Sequence, residues 1–208
     1  MEQFYWAALG AAKGIDTARM LVLVRAFGSA QNLYEAEEQD ILATGIVAPE
    51  CASRFVEYNR KNRKLPEMMR EQCERSGISV VPVVSQLYPE RLKQILHPPL
   101  VLYVKGTLPD CRYSIGMVGS RMADAYGKKA ATCFGRALAE AGVVIISGGA
   151  TGIDTVSHEG ALQGGGKTVA VLGCGVDIVY PHTNAKLFAA IAENGALVSE
   201  KSALFWKL

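Results

Sequence analysis

The chain has 208 residues, half of them hydrophobic, and a formal net charge of +2 from 22 Lys and Arg against 20 Asp and Glu. This length fits one α/β domain with a small accessory domain, and the composition is that of a globular protein with a sizeable core. The charge argues neither for nor against a polyanionic partner, and no apolar run is long enough to span a bilayer. We therefore expect no membrane association.

The cysteines are spaced too widely to suggest a structural metal site. They stand at positions 51, 73, 111, 133 and 174, with no Cys-x-x-Cys pair and no short spacing to any of the three histidines. An odd number of cysteines and the lack of a signal-peptide pattern fit a reducing compartment. The sequence thus predicts a cytoplasmic protein without a bound metal.

Short helical segments broken by glycines fill the first part of the chain. Apolar periodicity predicts five helices with no strand alternation between them. They cover residues 4–11, 16–27, 29–35, 38–44 and 49–59. The turns Gly14-Ile15-Asp16 and Thr44-Gly45-Ile46 resemble those of helix-hairpin-helix or sterile-alpha-motif modules, whose backbone amides can bind DNA phosphate. A helical module with only a packing role is the alternative. We expect residues 1–65 to form a small all-α domain.

The pattern changes after Pro66, and residues 66–208 are expected to form a second domain. A helix, a β-rich run, a short helix and a strand are predicted over 67–76, 78–84, 89–96 and 100–104. Because Pro82 has no N–H for a sheet ladder, it places the first of these strands at a sheet edge.

A strand, a glycine loop and a helix are then repeated three times and followed by a last strand. The strands are predicted over 114–118, 143–146, 168–172 and 196–199, and the helices over 126–141, 155–163 and 184–193. Alternating strands and helices predict a parallel sheet with right-handed crossovers. The fold class is therefore α/β.

Three glycine-rich loops follow the repeated strands: Gly119-Ser120-Arg121, Ser147 to Asp154, and Gly173-Cys174-Gly175. Loops that follow parallel strands meet at the carboxyl edge of the sheet, where open sheets bind ligands. Glycines let a ligand approach backbone amides, and helix N-termini favour anions. Arg121 adds a guanidinium that can hold phosphate by two hydrogen bonds. For any one of these loops alone, phosphate binding and simple packing remain alternatives.

Polar side chains near these loops admit both structural and catalytic interpretations. Thr151 and Asp154 have the spacing of a capping box, so we interpret Asp154 as a helix cap rather than a catalyst. His158 suits either general acid–base chemistry or a packing role. Nothing in the spacing of Cys174, His158 and Asp177 supports a nucleophilic triad.

Neither common nucleotide-binding fingerprint occurs. The loop after the first repeated strand reads Gly-Ser-Arg-Met-Ala-Asp over 119–124 instead of Gly-x-Gly-x-x-Gly, and Gly166-Lys167-Thr168 lacks the upstream glycine of a Walker loop. Lys167 also precedes its strand, so the simplest topology places it at the opposite edge of the sheet. We expect no cofactor.

A series of short motifs runs in order through almost the whole chain. The motifs are 87–92 (Leu-Tyr-Pro-Glu-Arg-Leu), Pro98-Pro99-Leu100, Lys105-Gly106, 117–121 (Met-Val-Gly-Ser-Arg), 147–154 (Ser-Gly-Gly-Ala-Thr-Gly-Ile-Asp), His158, Ala161-Leu162, 165–173 (Gly-Gly-Lys-Thr-Val-Ala-Val-Leu-Gly), Gly175-Val176-Asp177, Tyr180-Pro181, Asn184, Leu187 and 197–200 (Leu-Val-Ser-Glu). This ordered series resembles the DNA-processing protein A family (DprA, also called Smf) and is far more specific than one glycine loop.

The resemblance implies an extended Rossmann-like domain, preceded by a sterile-alpha-motif-like one, that binds single-stranded DNA without a cofactor. It further implies a homodimer and loading of the RecA recombinase during natural transformation. The implied phosphate contacts are Gly119, Ser120, Arg121, Ser147, Gly148, Gly149, Thr151 and Gly152, with Lys167 and Lys186 in addition. Helix N-termini and basic side chains along a sheet edge would give salt-sensitive binding with little base specificity.

Two features depart from the family pattern. Position 151 is Thr where the family commonly has a basic residue. The family also continues beyond Ser199-Glu200 with a proline-rich loop, a Phe-Pro-x-Arg-Asn segment and further strands, whereas here only 201–208 follow. We interpret this as a shortened member, which bears on DNA affinity, dimerisation and recombinase loading. Phe205 and Trp206 are interpreted as a cover for a sheet edge, a stacking surface or a loose terminus.

Two other functions remain as alternatives to single-stranded DNA binding. Rossmann-like nucleoside-monophosphate phosphoribohydrolases of the lysine-decarboxylase-like type also use glycine-rich phosphate loops, although their Pro-Gly-Gly-x-Gly-Thr loop and its following glutamate are absent here. The second alternative is an interaction module that has lost DNA binding. The leading expectation is a non-catalytic protein.

Overall fold

The computed structural model describes residues 1–12 and 14–202. Phe205 and Trp206 lie outside the described residues. By packing, the chain forms two compact units, one of residues 1–76 with 80–102 and one of residues 77–79 with 103–208. The domain boundary between residues 65 and 66 stays a prediction.

Helices dominate the first unit, as the glycine-broken apolar pattern predicts. They are α1 (Glu2–Ala11), α2 (Thr17–Phe27), α3 (Ala30–Tyr34), α4 (Glu38–Ala43), α5 (Pro49–Lys61), α6 (Leu65–Ser76) and α7 (Glu90–Lys93). The Asp16 carboxylate caps α2 by accepting from the Arg19 N–H at 2.8 Å, and Gly28 ends that helix in the left-handed region at φ +81°. Buried Leu9, Leu23 and Phe55 form part of the core of this unit.

The remaining elements build a six-stranded sheet and the helices that cover it. They are β1 (Ile78–Pro82), β2 (Val101–Gly106), β3 (Ser114–Gly116), α8 (Ala125–Glu140), β4 (Val144–Ser147), α9 (Ile153–Gln163), β5 (Thr168–Val171), α10 (Ala185–Asn194) and β6 (Ala196–Ser199), with a 3₁₀ turn at His182–Asn184 before α10.

The order of the strands is β1-β2-β6-β5-β4-β3. Strands β3, β4, β5 and β6 run parallel to one another, as the repeated strand–loop–helix pattern predicts, and the α/β fold class is confirmed. Strand β2, for which the sequence predicts no direction, pairs with β6 in the antiparallel direction, with Tyr103 opposite Ser199. It precedes the repeated units, and an antiparallel strand beside a parallel set is common. Strand β1 is outermost, as Pro82 predicts.

Helices α8 and α9 approach each other at backbone distance. A Cβ on Gly135 would lie 2.7 Å from the Ser157 carbonyl oxygen, and a Cβ on Gly160 would overlap the Thr132 carbonyl. Side chains at these positions would force the helices apart. This close packing fixes the position of α9 against α8.

No helix in the described part of the chain is both long and apolar enough to cross a membrane.

Candidate functional site

The loops after β3, β4 and β5 meet at the carboxyl edge of the sheet and line one pocket of about 770 Å³. Its lining residues are Arg121, Gly148, Gly149, Ala150, Thr151, Asp154, Val171, Leu172, Gly173, Cys174, Ile178, Tyr180 and Pro181. The lining therefore joins a cation and a glycine-rich backbone to a largely apolar wall. The three loops converge because parallel strands place all their carboxyl ends on one side.

The first two loops are joined backbone to backbone. The Ile153 N–H donates to the Ser120 carbonyl at 3.1 Å. Gly152 lies beside this bond at φ +85°, and a Cβ there would overlap the carbonyl oxygens of Ser120 and Arg121. Only glycine combines this backbone angle with this approach. The arginine loop and the α9 loop thus form a single surface.

Three side chains hold three consecutive carbonyl groups of the loop after β4. His158 Nε2 lies 2.8 Å from the Gly148 oxygen, Asn184 Nδ2 donates to the Gly149 oxygen at 3.1 Å, and Thr155 Oγ1 donates to the Ala150 oxygen at 2.9 Å. We call these three side chains, Thr155, His158 and Asn184, the clamps. Asn184 also donates to Thr155 Oγ1 at 2.9 Å, so two of the clamps are bonded to each other. The loop conformation is therefore set by side chains from outside it.

Each held carbonyl fixes the direction of the next N–H, because a trans peptide is planar and its N–H and C=O point opposite ways. The N–H groups of Gly149, Ala150 and Thr151 consequently point away from the clamps. Asp154 Oδ2 accepts from the Ala150 N–H at 3.3 Å. Within the part of the chain that the structure describes, the N–H groups of Gly149 and Thr151 donate no hydrogen bond, so they remain available to a ligand.

Asp154 has a structural role, but the predicted capping box is wrong. The N-cap of α9 is Gly152, with no side-chain capping bond, and the Thr151 side chain is exposed. The loop turns one residue later than the Thr-x-x-Asp spacing suggests because Gly152 takes the positive φ. The Asp154 carboxylate instead stabilises the loop by accepting from the Ala150 N–H. It also packs against Gly148, where a Cβ would lie 2.5 Å from Oδ2.

Four of the ten predicted phosphate contacts fall into three groups by position. Arg121 is exposed at the pocket, and exposed Lys186 lies in the first turn of α10, which begins at the same edge. Ser147 is buried and its hydroxyl donates to the Met117 carbonyl at 2.5 Å, so its side chain points at the neighbouring chain segment. Lys167 precedes β5, and its carbonyl accepts from the Ile145 N–H at 3.2 Å, which places it at the opposite edge. Their roles in binding stay predictions.

His158 and Cys174 do not form a nucleophilic pair. Both ring nitrogens of His158 are engaged, one by Gly148 and the other by the Thr168 hydroxyl at 2.6 Å. Burial lowers the pKa of His158, against smaller opposing effects of the Gly148 bond and the Asp154 charge. Burial raises the pKa of the Cys174 thiol, which keeps it protonated near neutral pH.

Sequence reasoning missed the clamps and the apolar wall. Asn184 belongs to the motif series and Thr155 begins a predicted helix, but neither position indicates a role in shaping the loop, because their partners lie elsewhere in the fold. Tyr180, with 71% of its surface exposed, stands at the pocket beside Ile178. A tyrosine that precedes a proline and a helix has no local sequence pattern that would place it at a pocket. Among the described residues, no group of three or more His, Cys, Asp or Glu side chains is arranged to hold a metal ion.

A family model described as DNA recombination-mediator protein A matches residues 79–204. Among curated proteins, Protein Smf of Synechocystis sp. is 32% identical over 207 residues, which cover 96% of this chain and 51% of that protein. DNA processing protein DprA of Bacillus subtilis is 38% identical over 139 residues, covering 66% of this chain and 46% of that protein. The chain thus spans about half the length of these relatives.

Among solved structures, DNA processing protein A from Streptococcus pneumoniae matches with a TM-score of 0.72 and 29% identity, over 95% of this chain and 67% of that one. The protein from Helicobacter pylori, described for its single-stranded DNA binding mode, matches with a TM-score of 0.53 and 32% identity, over 60% of this chain and 56% of that one. The family model, the relatives and the fold agree on the interpretation of the motif series. The chain belongs to the DNA recombination-mediator protein A family, whose members include the DprA and Smf proteins.

Proposed function

We propose that the chain binds single-stranded DNA along the carboxyl edge of its sheet, in the manner of a DprA-type protein acting in natural transformation and recombination. The observation that carries this proposal is a single pocket lined by Arg121 and by the loop that holds the unpaired N–H groups of Gly149 and Thr151. A cation and converging amides at a helix start suit a phosphate. The related protein described for its single-stranded DNA binding mode supports the choice of nucleic acid.

The shape of the edge favours a strand over a single nucleotide. Besides Arg121 and the glycine loop, the pocket has an apolar wall that includes Ile178 and exposed Tyr180. Proteins that bind single strands without sequence preference combine a basic groove for the backbone with an aromatic surface for the bases. Lys186 extends the positive charge beyond Arg121 along the same edge. Successive phosphates of a flexible strand would meet both cations.

The proposed role is non-catalytic. The candidate nucleophile Cys174 is held as a thiol by burial, and the candidate base His158 has no free ring nitrogen. Asp154 is bonded to the Ala150 N–H. These groups maintain the binding surface instead of acting on the ligand.

The proposal also includes the RecA recombinase and a second copy of the chain as partners, and the cytoplasm as the location. Family membership supports loading of the RecA recombinase onto the bound strand. Homodimer formation is supported by the exposed sheet edge at β3, where Tyr113 and Val118 are 77% and 82% exposed. Five free cysteines fit the cytoplasm.

The deciding experiment is a salt titration of binding to a fluorescent oligothymidylate. We expect the logarithm of the binding constant to fall linearly with the logarithm of salt concentration. No binding at any salt would refute the proposal and favour the interaction module. Release of free base from nucleoside monophosphates would favour the phosphoribohydrolase instead.

A further inference from the structure

His158 is buried directly behind the loop that we propose to bind phosphate, and its ring joins that loop to the sheet. Nε2 lies 2.8 Å from the Gly148 oxygen and Nδ1 lies 2.6 Å from Thr168 Oγ1. None of the side chain is exposed. A histidine in this place cannot touch DNA, so any effect on binding must pass through the loop.

The partners of the ring determine where its proton lies. A carbonyl oxygen only accepts, so Nε2 must carry a hydrogen for the bond to Gly148 to exist. Thr168 Oγ1 has one proton and two possible acceptors, His158 Nδ1 and the Ile145 carbonyl oxygen at 2.7 Å. In neutral His158 the hydroxyl donates to Nδ1. In protonated His158, Nδ1 donates to the hydroxyl, which then donates to Ile145.

The surroundings of the ring favour its neutral form. Burial lowers the pKa of His158, and the Asp154 carboxylate one turn earlier on α9 acts in the opposite direction. The loop and β5 present the uncharged Gly148 and Thr168 to the ring. Near neutral pH the ring is therefore neutral with its hydrogen on Nε2.

We propose that His158 is a positioning residue that holds the Gly148–Gly149 peptide so that the Gly149 N–H faces the pocket, and that the Gly148 carbonyl selects the tautomer with the hydrogen on Nε2 while the Thr168 hydroxyl bonds the other ring nitrogen. This inference rests on the proposed function for its ligand. Without the Nε2 hydrogen the Gly148 carbonyl has no partner in the protein interior, and the peptide would turn toward solvent. Its N–H would then point away from the phosphate.

The first test measures oligothymidylate binding by four proteins. His158→Leu removes both ring nitrogens, His158→Gln restores a donor near the position of Nε2, and Gln163→Ala changes an exposed residue at the other end of α9. We expect His158→Leu to bind about tenfold more weakly, from the loss of one charge-assisted amide contact, and His158→Gln to recover most of that loss. The Gln163→Ala protein should match the wild type. Circular dichroism of each variant shows whether it folds.

The second test does not need DNA. Two-dimensional ¹H–¹⁵N spectra of the ring nitrogens should show a hydrogen on Nε2 and none on Nδ1 at neutral pH, and Thr168→Val should shift the Nδ1 signal toward that of an unbonded nitrogen. Arg121→Ala should weaken binding yet leave these signals unchanged.

The outcomes separate the two proposals. If the wild-type protein does not bind DNA, the proposed function fails, and the tautomer spectra still test the ring. If the wild type binds but a folded His158→Leu protein binds equally well, or if the hydrogen lies on Nδ1, the positioning role is overturned.

Discussion

The side-chain amide of Asn184 donates to the carbonyl oxygen of Gly149 at 3.1 Å, across 35 positions of sequence. Asn184 is buried, so its amide has no water to replace this partner. Replacing it by Ala should lower the free energy of unfolding by about 1–2 kcal/mol and weaken DNA binding through the loop. Urea denaturation measures the first effect. Asn194→Ala is the control, since Asn194 lies at the exposed end of α10, the helix that follows Asn184, and donates to the Ala190 carbonyl. Equal losses in both variants would contradict the assignment.

Arg121 is expected to contribute one phosphate contact. Arg121→Ala should reduce the steepness of the salt dependence of oligothymidylate binding by about one unit. Arg112→Ala provides a matched control, because Arg112 precedes β3, lies at the opposite edge and pairs with Asp110 at 2.6 Å. A change of slope in the control alone would argue against the proposed edge.

A substitution at Gly152 tests whether the close contact between the loops after β3 and β4 contributes to stability. An alanine there must take φ +85° and overlap the carbonyl groups of Ser120 and Arg121, so Gly152→Ala should cost about 2 kcal/mol or more in unfolding free energy. Gly165→Ala shares the positive φ, at +67°, but its Cβ meets open space. It should cost only about 1 kcal/mol. Thermal and urea unfolding of both variants would show whether the overlap, beyond the backbone angle, matters.

The buried ring of His158 predicts a dependence of stability on pH. Its pKa is lowered in the folded protein from an ordinary value of 6.5. As the pH falls through 6.5, His158 becomes protonated in the unfolded chain but stays neutral in the folded protein. The unfolding free energy therefore decreases until the pH falls below the lowered pKa of the folded state. Above 6.5 both states are neutral and the effect vanishes. His158→Gln should lack this decrease, and denaturation of both proteins between pH 5 and 8 isolates it. Parallel pH profiles would refute the prediction.

Strand β3 ends the sheet, and apolar side chains within it and on either side of it are exposed. Tyr113, Ile115 and Val118 are 77%, 42% and 82% exposed. An exposed apolar sheet edge is a surface for pairing between chains. We expect sedimentation to show association that increases with concentration, and Ile115→Lys to reduce it. Val22→Lys, which changes an exposed apolar residue of α2, should leave association intact.

Local patterns predicted the repeated architecture well, and they failed where distant partners decide. The apolar β-branched run before Ser147 and the helical spacing after Thr155 correctly indicated a strand, a turn and a helix, because burial and periodicity act over a few residues. The antiparallel pairing of β2 depends on β6, about a hundred residues later, and no local pattern encodes it.

The candidate site shows the same division. The order of strands and helices alone predicts that Arg121 and the Gly148–Gly149 loop lie at one edge of the sheet. The clamps could not be predicted, since a threonine, an asparagine and a histidine acquire their roles only when folding brings them behind the loop. The capping box predicted from Thr151 and Asp154 is wrong for a related reason. Their spacing matches a common capping motif, but Gly152, with its positive φ, is the N-cap residue of α9.

The three carbonyl clamps also have a consequence for synthesis of the protein. All of them follow the loop in the chain, at positions 155, 158 and 184. A nascent chain that has just left the ribosome with its glycine loop complete still lacks the groups that shape it, and the last arrives 35 residues after Gly149. The loop therefore reaches the conformation that we propose for phosphate binding only after Asn184 has been synthesised, and we expect a shorter chain that lacks this residue to bind DNA more weakly.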